Sequence, residues 1–505
     1  MLVPVDIGVV AQASSGRWER VVLRTPAQAA ANFAGGEGGQ WPRGIVFSAD
    51  GNRALLCIDV AGAYLSEDGG LSWNVRSNGY LARGCASAAF DPNNSDRIVA
   101  VGANSAPHAA NGLYLTEDGA RSWRQVRPAM ISGLHEQRSQ IAWDETTYDA
   151  ATRKTRTVYW SRVEGDGATW GTPEERPALW RSDDGGATWT EIANSKEAAG
   201  GAFLRCRNGV LFSGNRRGVW RSPDKGVTWT KLLAGEVTGL ALQGDRLVAS
   251  LPQRLVRSRA GFTGWDDLNV GPLRNGTDVF RFVEVSPADP NRIAVWRESV
   301  PNTWNWPRFV SRDGGASWTQ VAMSTPEAFL PVNSRQGLWS WHPTNPDVAL
   351  SIGGDLVTRS TDGGRTLRWS NAGNNAILVG GMLNFNAKDP DVIFVGSQDY
   401  NGASTADGGR SWTYRNPSGN GWGGFTYAGY ALSKSVLAVG DAPGWGGGKR
   451  LKVSRDGGST WNDTGVDLAG TFETAIGSGV DPRVAFVKEA RTADGAKTWS
   501  RRTAC

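Results

Sequence analysis

The sequence predicts an all-β chain, a β-propeller of about ten four-stranded blades, and three observations carry that prediction. One short hairpin text recurs along the chain, its period is that of a four-stranded sheet, and the composition suits short strands joined by tight turns. In 505 residues there are 66 glycines and 24 tryptophans, while charged residues make up only 20%. That balance disfavours long solvated helices.

The repeated text first reads LSEDGGLSW, around Asp68. It returns as LTEDGARSW at Asp118, RSDDGGATW at Asp184, RSPDKGVTW at Asp224, VSRDGGASW at Asp313 and RSTDGGRTL at Asp362. STADGGRSW at Asp407, VSRDGGSTW at Asp456 and RTADGAKTW at Asp494 complete the clear copies. A further stretch, VRSRAGFTGW ending at Trp265, keeps the frame but lacks the Asp. Successive box Asp residues are 50, 66, 40, 89, 49, 45, 49 and 38 residues apart, and the 89 divides at the degenerate copy. A period of about 40–50 residues is one propeller blade.

The other strands recur in phase with the box. FDPNNSDRIVAVG, VSPADPNRIAVW, WHPTNPDVALSIG and FNAKDPDVIFVG each place a Pro/Asn/Asp turn between two apolar runs upstream of it. Within the box the Asp accepts hydrogen bonds from its own turn, the glycines supply φ > 0, and the Ser or Thr ties the second limb. The Trp supplies the large apolar area, ~150–250 Å², that packs one blade on the next. These nine Asp residues are expected to be structural.

The frame S/T-x-D-x-G-x-S/T-W resembles the Asp box, or BNR repeat, of sialidases, of the two-propeller xyloglucan hydrolases of glycoside hydrolase family 74, and of the ten-bladed sortilin domain. In those families the boxes lie on outer strands, away from the active site. The sialidase arginine triad and FRIP-like motif have no counterpart beyond QWPRGIVF. The amino-terminal text GGEGGQWPRGIVFSADGNRALLCIDVAGAYLSEDGG is similar to the opening of family 74 enzymes, where a strand ends in D-I-G-G-A-Y. That resemblance implies that Asp59 is one of two catalytic carboxylates acting with inversion, with Ala61 standing where the family has Gly.

The family's second carboxylate lies in a G-D-I-G-G string that this chain lacks. Asp355 in GGDLVTRS and Asp399 in GSQDYNGAS are in a similar phase, and Asp441 is a further candidate. Asp59, Asp355 and Asp399 precede their box Asp by 9, 7 and 8 residues, so all three are expected to end an inner strand and point toward one mouth. Sugar contacts are expected from flat aromatics in Gly- and Asn-rich loops, namely Trp304, Trp306, Trp422 and Trp445, and from Tyr64 beside Asp59.

All ten blades are expected to form one domain over residues 1–505, a single wide ring like that of sortilin, with two tandem propellers as the alternative. Residues 1–23 form an arm, in which Ser15–Leu23 supplies the ring-closing strand.

The net charge of +5 and pI near 9.0 come without a basic run, which excludes a nucleic-acid partner and suits an acidic glycan or cell surface. Four cysteines without a CxxC and three scattered histidines argue against a zinc site or a His-based triad, no metal or cofactor is expected, and no cofactor motif appears. No long apolar run supports membrane insertion, and no basic region precedes the first apolar run, so no Sec signal is read. Two leading functions remain, with an assembly factor or scaffold resembling the photosystem-associated Asp-box propellers as a third reading. One is an inverting glycoside hydrolase acting on a polysaccharide. The other is a non-catalytic binding or structural propeller, such as a virion tail component recognising host surface glycan alongside other virion or surface proteins. Either places the chain outside the cell or on a virion.

Overall fold

The hydroxyl residues flanking each box explain why the text is so regular. In the first copy Ser66 Oγ donates to Asp68 Oδ1 at 2.7 Å and accepts the Gly70 N–H at 2.7 Å. On the far side, Asp68 Oδ1 accepts the Ser72 N–H at 2.9 Å and Oδ2 accepts the Ser72 hydroxyl at 2.5 Å. The same contacts recur at Asp118, Asp184, Asp224, Asp313, Asp362, Asp407, Asp456 and Asp494. The two residues after the Asp take positive φ, 69° and 86° at Gly69 and Gly70. Each box thus closes a turn whose polar groups satisfy one another, leaving the Trp free to pack.

This computed structural model describes residues 37–38 and 42–501, apart from 60–61, 104–107, 130–139, 164–175, 300–305, 325–336, 354–355, 377–384, 398–399, 421–423, 445–448 and 469–474. The segment Ser15–Leu23 falls outside them.

Ten sheets of three to five strands follow one another among the described residues, each an antiparallel meander apart from one added strand, beside two two-stranded ribbons. The first is Pro42–Phe47, Ala54–Ile58, Ala63–Ser66 and Asn74–Val75, running from the innermost strand outward. Each box turn joins the last two strands of its meander. The seventh sheet gains a fifth strand, Ala322–Met323, parallel to its outer strand Thr366–Trp369. The eighth shows three strands, Ile393–Ser397, Asn401–Thr405 and Thr413–Arg415.

The propeller expected from the sequence is therefore present, but its ring closes earlier than expected. The first sheet docks on the seventh: Trp73 N–H donates to the Ala372 carbonyl at 2.7 Å, Trp73 Nε1 to the Ser370 carbonyl at 2.7 Å, and Ser370 Oγ to the Gly70 carbonyl at 2.5 Å. A Cβ on Gly70 would lie 2.6 Å from Leu350 of the seventh sheet, so this turn needs glycine to approach. A central cavity of about 470 Å³ is lined by the innermost strands of sheets one to seven, including Ile45, Phe90, Trp143, Arg205, Leu242, Glu284 and Trp341. The eighth, ninth and tenth sheets stack in series beyond this ring, with hydrophobic clusters of their own around Phe394 and Leu451. The single ten-bladed ring gives way to a closed seven and a further three, nearer to the tandem alternative. The physical reason is complementarity at the first box, whose tryptophan fits the outer edge of sheet seven.

Seven of the box tryptophans divide into two kinds, while the indole nitrogens of Trp461 and Trp499 are buried without a hydrogen-bond partner among the described residues. Trp73, Trp123, Trp265 and Trp318 each donate Nε1–H to a backbone carbonyl at the outer edge of the preceding sheet, at Ser370, Arg76, Leu232 and Asn269. Trp189, Trp229 and Trp412 instead donate to the carbonyl three residues back in their own turn.

The box carboxylates titrate low because the folded turn stabilises the anion. Hydrogen bonds from the Ser317 hydroxyl, the Ser317 N–H and the Ser311 hydroxyl pull Asp313 from 3.8 down to about 2. A depressed carboxyl contributes stability above its unfolded pKa, and that contribution is lost as pH falls through the folded value. Thermal unfolding should therefore show a steep loss between pH about 4 and about 2, and the curve for Asp313→Asn should converge on wild type there. Parallel curves over that range would show that the box carboxylate carries no acid sensitivity.

Candidate functional site at the mouth of the ring

The connections from second to third strand, and from each sheet to the next, lie at the end of the ring opposite the boxes. Asp59 follows the second strand of the first sheet, Ala54–Ile58, in which every residue is buried. The third strand, Ala63–Ser66, then leads away to the box, so Asp68 sits roughly 13 Å further along at about 3.3 Å per residue. Asp59 itself is half-buried. Its turn is closed by Ile58 N–H to the Gly62 carbonyl at 3.2 Å and tied to the second sheet by Gly62 N–H to the Arg83 carbonyl at 3.0 Å. Gly62 has φ of 78°, a conformation that suits glycine.

A disulfide between Cys57 and Cys85 joins this second strand to the innermost strand of the second sheet, two residues before Asp59. Both cysteines are fully buried. The sequence offered no motif for this pair. Closing a loop across a separation of 28 residues stabilises the fold by about 3–4 kcal/mol. The double variant Cys57→Ala, Cys85→Ala is expected to lose about that much in denaturant unfolding, and a loss below about 1 kcal/mol would show that the crosslink constrains little.

Among the other predicted residues, Tyr64 is a correction. Its side chain is 8% exposed and belongs to the core of the ring, because alternation along the third strand turns it between sheets and not into the mouth. Trp306 is half-buried and lines a mouth cavity of about 250 Å³. Asp355, Asp399, Trp304, Trp422 and Trp445 lie outside the described residues.

Asp441 lies in the second strand of the ninth sheet, Leu437–Ala442, the strand that corresponds to the one preceding Asp59. It is 7% exposed, and its Oδ2 is 2.6 Å from Lys452 Nζ. Its Oδ1 is buried without a hydrogen-bond partner among the described residues. Burial pushes the carboxyl up, against the opposing pull of Lys452.

Sequence reasoning missed Glu298. It ends the second strand of the sixth sheet, Ile293–Glu298, in the phase of Asp59, and its carboxylate accepts a hydrogen bond from Arg281 Nε. Glu298 and Asp441 both precede their box Asp by 15 residues, Asp313 and Asp456 respectively. An offset of 7 to 9 holds only where the connection to the third strand is short. The visible signal was an acid ending an apolar strand, in IAVWRE.

One further cluster joins Asp144, Glu145 and Cys206, whose ligand atoms lie within 4.8 Å of one another. Asp144 Oδ1 already accepts from Thr146 N–H and hydroxyl, and Glu145 Oε1 from Asn208 N–H, so both acids serve local turns. Burial also pushes the Cys206 thiol up, away from the thiolate that a metal needs.

Neither protein-family models nor curated protein sequences match this chain. Solved structures do. A GH74 xyloglucanase from Xanthomonas campestris superposes with a TM-score of 0.63 at 15% identity, over 92% of this chain and 80% of that one. The chain shares its fold. A GH74 enzyme of Niastella koreensis gives 0.59 at 16% identity over 92% and 79%, and an ancestral GH74 enzyme 0.63 at 16% over 92% and 70%. At these identities the likeness is one of fold. No described helix is long and apolar enough to cross a membrane.

Proposed function

We propose that this chain acts on a polysaccharide as a glycoside-hydrolase-type propeller, with Asp59 as the carboxylate that activates water. The observation that carries the reading is the placement of Asp59 at the mouth end of a buried, disulfide-pinned strand, in a fold shared with GH74 enzymes. Inversion needs a second carboxyl, protonated to assist the leaving group and roughly 6.5–9.5 Å from the first. Asp441, whose carboxyl is pushed up by burial against the pull of Lys452, is one candidate for that acid, with Asp355 and Asp399 as alternatives. The disulfide supports an oxidising, extracellular setting.

A second reading is recognition without cleavage, as in a virion or surface component that binds host glycan. Its specific support is the Asp441–Lys452 ion pair, which favours an ionised and not a proton-donating Asp441. Reducing-end release from a panel of β-glucans and bacterial surface polysaccharides tests the choice. Release with inverted anomeric configuration supports hydrolysis, whereas binding without release from any substrate leaves recognition alone.

A further inference from the structure

We infer that the junction closing the ring is loosened by acid, with His342 as the group that takes up the proton. His342 follows the innermost strand of sheet seven, Trp339–Trp341, at the box end of the ring. Its side chain crosses to sheet one: it packs edge-on against Phe47 with ring centroids 5.2 Å apart, and a Cβ on Gly51 would lie 2.0 Å from Nε2. Gly51 sits in the tight turn between the first two strands of sheet one, with φ of 75° and its N–H bonded to the Ser48 carbonyl at 2.9 Å. The imidazole is a wedge between the two ends of the ring.

The wedge fits in one protonation state. Nδ1 accepts the Thr344 N–H at 3.3 Å and the Asn345 N–H at 3.1 Å, so it carries a lone pair and the neutral ring holds its proton on Nε2. An imidazolium is protonated on both nitrogens, so it loses both bonds and turns an N–H toward two others. Arg359, on the third strand of sheet seven, Leu356–Ser360, donates from Nε to the Gly69 carbonyl of the first box at 3.2 Å, and a second cation beside it adds repulsion at the same junction. Asp68 in turn faces Arg359. Asp50, on the turn of sheet one, favours the imidazolium, but its carboxylate already accepts from the Ser48 hydroxyl and from the Asn52 N–H and Nδ2. Burial and Arg359 outweigh Asp50 and hold the imidazole below its ordinary range. A histidine depressed in the folded state takes its proton first when the junction is open. The junction is therefore at full strength above the ordinary value of about 6.5 and weakens as pH falls through it toward the folded value.

Amide exchange of the full chain, corrected for intrinsic rates, tests this at the Trp73 N–H, which bonds the Ala372 carbonyl across the junction. The Trp123 N–H, which bonds the Asn78 carbonyl between sheets two and one, is the internal control. From about pH 7.5 to about pH 5.5 the protection of Trp73 relative to Trp123 should fall at least about threefold in wild type. It should stay constant in His342→Asn, whose side-chain carbonyl can accept the same two N–H bonds without titrating. His342→Phe, which keeps a ring against Phe47, should be equally insensitive to pH and serves if the asparagine variant does not fold. With three histidines in the chain, the His342 ring signal is identified by comparison with His342→Asn, and it should titrate below about 6.5. Titration at or above that value, equal loss of protection at Trp73 and Trp123, or one pH dependence shared by wild type and both variants would overturn the inference. It does not depend on Asp59 or on cleavage.

Discussion

Replacing Asp59 with asparagine is expected to lower reducing-end release by about 10²–10⁴-fold while leaving the thermal midpoint near that of wild type. Asparagine keeps the shape of the side chain but can neither take up a proton nor carry charge toward an oxocarbenium-like transition state. The strand behind it stays buried and crosslinked through Cys57, so the loss should fall on kcat and not on folding. Asp441→Asn should behave similarly if Asp441 is the acid, with the alkaline limb of the pH–rate profile removed, since its carboxyl is raised by burial and must be protonated to act. Equal rates for wild type and Asp59→Asn would sink the assignment of Asp59, whatever the substrate.

Trp73→Ala is the stability counterpart. Trp73 is 1% exposed, belongs to the ring core and donates Nε1–H across the junction to Ser370. Deleting it removes the packed area, opens a cavity and orphans the Ser370 carbonyl, an expected loss of about 3–5 kcal/mol in denaturant unfolding. Trp189→Ala is the natural comparison, because Trp189 is only half-buried and its indole N–H bonds within its own turn. Its loss should be clearly smaller. Equal losses would show that the junction between sheets one and seven is no more demanding than any other.

What the sequence made legible follows from the range of the interactions. The box is readable because its hydrogen bonds span four residues or fewer, from Ser66 to Asp68 and Asp68 to Ser72, so each copy must carry all its partners with it. The closure of the ring was not readable, since Trp73 and Ser370 are 297 residues apart and nothing local marks either as a partner. Cys57 and Cys85 escaped for the same reason. Asp59 was singled out as a candidate through its neighbours in sequence, whereas Glu298 escaped notice because a longer connection changes its distance from the box. Tyr64 was misread because nearness to Asp59 in sequence says nothing about which face of the strand it takes.

The junction between sheets one and seven also sets an order of events. Every other sheet in the ring contacts one adjacent in the chain, but Ser370 reaches Gly70 across 300 residues, so this contact must wait until the intervening sheets have condensed. The four strands of the first sheet are contiguous, and the junction is made by the Ser72–Ala372 backbone bridge, the pairing of Glu37–Gly38 with Asn375–Ala376, and the side chains and turns around them. It has the build of a clasp: two ends of a long chain held by one fitted junction.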